Sequence, residues 1–174
     1  GLGKTGLSCA RFLAQMGKDF TVVDTRDQPS ELDSLMQSLP DVGVLTGITS
    51  NIAIDGCKHL VLSPGIAREH PLVVSAQRNG VEVIGDIELF ARHAKAPVLA
   101  VTGSNGKSTV VTMVTEILTR ANFVVRCGGN LGVPALDLLA DEQPDCFVLE
   151  LSSFQLESTE SLAPSVACIL NVSP

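Results

Sequence analysis

Tryptophan and tyrosine are both absent from this 174-residue sequence. Stacking on a base or sugar would therefore fall to six phenylalanines, most of them inside apolar runs. Basic residues are scarce too: 12 Lys and Arg against 19 Asp and Glu give a net charge of -7. A nucleic-acid binder needs a basic face, so this balance argues against one. It does not exclude a nucleotide, which local backbone donors can hold. No apolar run reaches the length of a membrane helix. The five cysteines, Cys9, Cys57, Cys127, Cys146 and Cys168, form no C-x-x-C pair. Odd in number and mostly within apolar runs, they predict reduced core thiols in a cytoplasmic protein and no zinc site. His59, His70 and His93 lack metal-ligand spacing and read as structural. No G-x-S-x-G elbow is present, which argues against a hydrolase triad.

What is present is a core-forming chain, 45% apolar, in which strand and helix patterns alternate. Helical spacing covers Leu2 to Gly17, with Gly17 as C-cap. Phe20–Asp24 reads as a strand, and Ser30 as N-cap of a helix over Glu31–Leu39. His59–Ser63 is a strand stopped by Pro64-Gly65, and His70-Pro71 starts a helix up to Asn79. Val81–Ile84 is a strand, and Asp86 caps a helix over Ile87–Ala94. Then come a strand after Pro97, a helix over Val110–Arg120 and a strand over Phe123–Arg126. A glycine loop over Gly128–Gly132, a helix over Pro134–Ala140 and strands over Cys146–Glu150 and Ser165–Ser173 complete the series. Strands apolar on both faces, separated by amphipathic helices, predict an α/β fold with parallel sheets covered on both sides. Two units are expected, residues 1–86 and 87–174. The sequence opens on a glycine loop and stops in an apolar strand, so it is expected to be an internal fragment of a longer enzyme.

The stretch Val98-Leu-Ala-Val-Thr-Gly103-Ser-Asn-Gly106-Lys107-Ser108-Thr109 carries the most chemistry. A strand, a glycine loop and a helix start aim backbone N–H groups and the positive helix end at one place. Lys107 adds a charge for the β/γ-phosphates, and the hydroxyl of Ser108 suits Mg²⁺. ATP or GTP binding is predicted, on Gly103, Ser104, Asn105, Gly106, Lys107, Ser108 and Thr109. The spacing is shorter than G-x-x-x-x-G-K-[ST], and the bland alternative is a strand–turn–helix with a surface lysine. Glu150 ends a strand one βαβ unit later, well placed to hold Mg²⁺ beside Ser108 or to be a solvated rim acid. Ser152 and Gln155 add polar groups to the same rim. Asn130, in its glycine loop, either faces that site or serves its turn. At the start of the chain, Gly1-Leu-Gly3-Lys4-Thr5-Gly6 matches G-x-G-x-x-G, with Asp24 at the spacing of a ribose-binding acid. That motif reads either as a diphosphate site, with Asp24, Thr25 or Arg26 on the nucleoside, or as a packing turn.

Seven strings occur in order: Gly1–Ser8, Asp24–Arg26, Ser63-Pro-Gly65-Ile-Ala67, Gly85–Phe90, Thr102–Thr109, Gly128–Gly132 and Glu150–Leu156. Together they resemble the Mur ligase family of peptidoglycan synthesis. The strings Ser-Pro-Gly-Ile-Ala and Glu-Leu-Ser-Ser-Phe-Gln resemble its D-glutamate-adding branch. The short phosphate-loop spacing is the form this family uses. The resemblance implies a Rossmann-like UDP-binding domain over 1–86, lacking its first strand, and the front part of an ATP-binding domain over 87–174. It also implies that the family's C-terminal domain lies outside this sequence. It implies a cytoplasmic, ATP- and Mg²⁺-dependent ligase, monomeric and free of nucleic acid or membrane, joining D-glutamate to UDP-N-acetylmuramoyl-L-alanine through an acyl phosphate. In that scheme Lys107 is catalytic, and Ser108 and Glu150 hold Mg²⁺. Lys4, Thr5, Asp24, Thr25, Arg26, Ser63, Gly65, Asn130, Ser152 and Gln155 bind the UDP-linked substrate. Such a fragment alone is expected to be inactive. Competing readings are a folylpolyglutamate synthase-like ligase, a nicotinamide-dependent oxidoreductase using Gly1–Gly6, and a non-catalytic nucleotide-sensing module.

Overall fold

The computed structural model describes residues 1–48, 56–139 and 142–172. The chain divides into two compact units, Gly1–Asp86 and Ile87–Pro174.

In the first unit, α1 (Lys4–Gln15) follows the glycine loop and buries Leu7, Ala10 and Phe12. Leu7 and Ala10 pack with Leu2, Val22 and Leu35 into one apolar cluster. Strand β1 (Thr21–Val23) leads to α2 (Leu32–Ser38), which buries only Leu35. The N-cap of α2 is Glu31, without a side-chain cap bond, in place of the expected Ser30. Strand β2 (Gly43–Leu45), absent from the sequence expectation, pairs in parallel with β1. It is three residues long and less than fully buried, too short for a period-2 signal. Strand β3 (His59–Leu62), α3 (Pro71–Arg78) and β4 (Glu82–Gly85) form a βαβ unit with parallel pairing. His70 is the N-cap of α3, and its Nδ1 accepts the Leu72 amide at 3.3 Å. Pro71 suits the first helical position, where no N–H partner is needed. The strands of this unit thus form two parallel pairs, β1–β2 and β3–β4.

The second unit opens from α4 (Asp86–Ala91), in which Asp86 is the first helical residue. A four-stranded parallel sheet follows, in the order β6-β7-β5-β8. Its strands are β5 (Val98–Thr102), β6 (Val125–Gly129), β7 (Cys146–Glu150) and β8 (Val166–Ile169). Every residue of β7 is buried, as expected of an inner strand covered on both faces. Helix α5 (Lys107–Arg120) packs Val110, Val111, Val114 and Leu118 against Val101 and Val148. The phosphate loop's Lys-Ser-Thr is already helical, so α5 starts three residues before the expected Val110. Strand β6 begins and ends later than expected and takes in Gly128 and Gly129. The expected helix over Pro134–Ala140 is a short 3₁₀ helix, Ala135–Leu138; Ala140 lies outside the described residues, as does Ser173 of the expected last strand. A one-turn helix, α6 (Ser153–Leu156), was not anticipated.

Core placement of the cysteines holds for Cys9 and Cys146, which are buried, but not for Cys57 and Cys127, which are exposed. Cys57 sits ahead of β3 and Cys127 on the edge strand β6. None of the five forms a disulfide.

Candidate functional site

Register places the ends of β5 and β7 side by side, with Val101 opposite Glu150. The loop after β5 and the acid ending β7 therefore meet at the carboxyl edge of one parallel sheet, where ligands of α/β proteins sit. Gly106 is the N-cap of α5 at φ 83°, a left-handed conformation that glycine adopts without strain. The amides from Gly106 to Thr109 lie at the helix start, where the helix itself supplies no acceptor. Lys107 is half-buried, and its Nζ donates to the Gly103 carbonyl at 2.7 Å and to that of Ser104 at 3.4 Å. The ammonium is thus held over the loop.

Ser108 Oγ donates to Glu150 Oε2 at 2.7 Å. Asn130 Nδ2 donates to Glu150 Oε1 at 3.0 Å, and the Asn130 amide to the Glu150 carbonyl at 2.8 Å. Glu150 is only 3% exposed, so both oxygens are directed by neighbours rather than by water. Gly129 lets β6 approach: at φ 115°, a Cβ there would strike the Glu150 carbonyl. No group of three or more His, Cys, Asp or Glu with metal-holding geometry exists among the described residues. One carboxylate plus one hydroxyl nonetheless suits Mg²⁺, a hard cation that takes few protein oxygens and completes its shell with phosphate and water.

Ser152 and Gln155 turn toward each other. Ser152 Oγ accepts the Gln155 amide at 3.2 Å, and Gln155 Oε1 accepts the Ser152 amide at 3.1 Å, a capping box that starts α6. Gln155 is buried. Sequence reasoning missed Asn171 and Thr102. The Thr102 hydroxyl donates to the Leu151 carbonyl at 2.9 Å, tying the two strand ends together. Asn171 follows β8: its carbonyl accepts the Ser104 amide at 3.1 Å, and its Oδ1 accepts the Asn105 amide at 2.8 Å. Its Nδ2 donates to the Asn105 carbonyl at 3.0 Å. The available signal was a polar residue closing an apolar strand, the same signal that drew attention to Glu150.

The expected UDP-side residues lie in the first unit. Gly3 is the N-cap of α1 and makes no side-chain cap bond, so Lys4 and Thr5 stand at the positive helix end. Gly6 serves packing: a Cβ there would strike the Gly1 carbonyl. Ser63 Oγ donates to that same carbonyl at 3.1 Å, which joins the turn after β3 to the glycine loop. Gly65 lies exposed in that turn. Asp24, buried at the end of β1, takes four hydrogen bonds. They come from the amides of Leu2 (2.6 Å) and Arg26 (2.8 Å) and from Arg26 Nε (2.9 Å) and Nη2 (2.8 Å). The Arg26 side chain is the chief cause that holds the Asp24 carboxyl far below the usual range; the two amides add to it and burial opposes it. Asp24 raises the Arg26 guanidinium in turn. Thr25 and Arg26 are themselves exposed. His59 pairs with Glu82 at 3.1 Å and His93 Nδ1 contacts the Leu89 carbonyl at 2.9 Å, local roles like that of His70.

Residues 1–85 match the Mur ligase MurD-like N-terminal domain, and residues 101–174 match the Mur ligase middle domain. The UDP-N-acetylmuramoylalanine--D-glutamate ligase of Nitrosococcus oceani is 49% identical over 100% of this chain. That of Pseudomonas putida is 52% identical over 99% of it. In each case the chain spans 38% of the relative's length. A solved structure, the UDP-N-acetylmuramate:L-alanyl-gamma-D-glutamyl-meso-diaminopimelate ligase from Neisseria meningitides, shares the fold. It has a TM-score of 0.59 and 20% identity, over 99% of this chain and 59% of that one. With a phosphate loop at one sheet edge and both successive domains matched in order, the chain belongs to the Mur ligase family.

Proposed function

We propose that this chain supplies the UDP-substrate and ATP-binding parts of a cytoplasmic, monomeric ligase that adds D-glutamate to UDP-N-acetylmuramoyl-L-alanine. Residues 1–86 take the UDP-linked substrate, and residues 87–174 take ATP. The observation that carries the reading is the meeting of Lys107, Ser108 and Glu150 at the end of one parallel sheet. Relatives near 50% identity are UDP-N-acetylmuramoylalanine--D-glutamate ligases, which supports this choice of substrates.

ATP supplies the phosphoryl group that activates a substrate carboxylate for attack by the D-glutamate amine. The protein's part is alignment and charge neutralisation, and no protein nucleophile is needed. Lys107, held at the Gly103 carbonyl, would reach the phosphates and neutralise charge that develops there. The amides at the start of α5 hold the phosphate oxygens. Ser108 and Glu150 would hold Mg²⁺, with Asn130 fixing the Glu150 carboxylate. Lys4 and Thr5 meet the diphosphate of the UDP moiety, and Thr25 and Arg26 its nucleoside. Asp24 acts through its partners, because its lone pairs are taken up by Leu2 and Arg26. That saturation disfavours the nicotinamide reading, which needs the acid free for a ribose hydroxyl. Asn130, Ser152 and Gln155 shape the rim for the muramoyl part.

The test is Lys107→Ala in a chain of the relatives' full length. Loss of one transition-state donor costs about 3–4 kcal/mol, on the order of 10²–10³ in turnover. Turnover within about threefold of the unsubstituted chain would sink the assignment.

A further inference from the structure

The phosphate loop has seven positions but does not offer all its amides to a ligand. Those of Ser104 and Asn105 turn instead to Asn171, one residue to its carbonyl and the other to its side chain. The side-chain amide of Asn171 brackets the Asn105 residue completely, accepting from its N–H at 2.8 Å and donating to its C=O at 3.0 Å. Among short side chains, only asparagine presents an acceptor and a donor in one plane at this reach. Gly103 makes the approach possible. At φ 135°, a Cβ there would stand 3.1 Å from both the amide nitrogen and the carbonyl oxygen of Asn171. The base of the clamp is rigid, since the Leu170 amide continues the β5–β8 ladder onto the Thr102 carbonyl at 3.0 Å.

We infer that Asn171 is a positioning residue for nucleotide binding. It pins the first half of the phosphate loop, so that the amides from Gly106 to Ser108 and the Lys107 ammonium converge on the phosphates. This rests on the nucleotide reading of the loop. With the clamp gone, Ser104 and Asn105 lose their fixed partners, and the loop must be ordered by the nucleotide itself. That ordering weakens ATP and leaves the UDP-linked substrate untouched.

The test uses a chain of the relatives' full length that carries this sequence, with ATP and UDP-N-acetylmuramoyl-L-alanine varied in turn. Asn171→Ala raises the KM for ATP at least fivefold while the KM for the UDP-linked substrate stays within twofold. Asn171→Asp, which keeps the shape and the acceptor but sets an oxygen against the Asn105 carbonyl, does the same and covers the case in which the alanine variant fails to fold. Glu88→Gln, a remote change in the same unit, lowers the melting temperature without moving the KM for ATP. A rise below fivefold in both Asn171 variants overturns the inference, and so does a rise shared equally by both substrates. An unsubstituted chain that neither uses nor binds ATP overturns the nucleotide reading itself, a result distinct from those two.

Discussion

Glu150 ends a strand whose other residues are all apolar, and the fold directs both oxygens of its buried carboxylate. Ser108 reaches one from the phosphate loop and Asn130 the other from the glycine turn. Under the proposed function, a carboxylate so held is already oriented for a hard cation. Glu150→Gln keeps the shape but removes the charge. The substituted full-length enzyme is expected to need about tenfold more Mg²⁺ for half-maximal turnover, since a charge–metal contact is worth at least about 1.4 kcal/mol. An unchanged Mg²⁺ titration would leave Glu150 as a mere brace for Ser108 and Asn130. Lys107, Ser108 and Glu150 were legible in the sequence because a phosphate loop is a local pattern and an acid closing an apolar strand stands out. Asn171 also closes an apolar strand but belongs to no local motif, and its role shows only in its bonds to a loop residue 66 positions away.

Among the elements, α4 is bonded to the distant segment at Glu160 and Ser161 through the side chain of Glu88. Glu88 is 2% exposed and accepts the amides of Glu160 (2.7 Å) and Ser161 (2.8 Å), the Ser161 hydroxyl (2.8 Å) and Arg92 Nε (2.9 Å). Burial pushes its carboxyl upward, but these bonds outweigh it and bring it down to about 2. A depressed carboxyl contributes stability above its unfolded value and loses it as pH falls through the folded one. The melting temperature of this unit is therefore expected to fall between about pH 4.5 and about pH 2, and less so in Glu88→Gln. At neutral pH, Glu88→Gln turns a donor toward donors and costs about 1–3 kcal/mol, readable by denaturant titration. An equal stability for both proteins at pH 7 would contradict the role given to Glu88. At α6 the capping box makes a smaller prediction: Ser152→Ala costs about 1 kcal/mol in the same titration, and no loss would mean that the turn is held by tertiary contacts alone. Strand β7 was legible residue for residue because it is apolar on both faces and bounded by acids. Strand β2 and α6 were not, being shorter than the periods that reveal strands and helices.

At the scale of the whole molecule, each of the two units presents a glycine loop opening a helix, Gly1–Gly6 before α1 and Gly103–Gly106 before α5. In the proposed function the first takes a UDP-linked substrate and the second ATP. Arg26→Ala in the full-length chain is expected to weaken UDP-N-acetylmuramoyl-L-alanine about tenfold or more, by removing a charged donor and freeing Asp24, and to leave ATP binding unchanged. Calorimetric titration with each ligand reads both effects; tight NAD(H) binding without a response to the UDP-linked substrate would refute the ligase reading. By itself the sequence determined the alternation of strand and helix, the parallel class of the sheets and the phosphate loop, because each follows from periodicity and glycine placement within a few residues of chain. The sequence left Glu150 open between a place beside Ser108 and a solvated rim; tertiary structure set it on Ser108 across 42 positions, and tertiary structure alone decided that Asp24 spends its oxygens on Leu2 and Arg26 and that Asn171 clamps Asn105. It also decided that Cys57 and Cys127 stay outside the core. The reason is physical: local backbone preference sets what each segment becomes, whereas the partner of a buried polar group is chosen only when strand register and loop approach bring distant segments together.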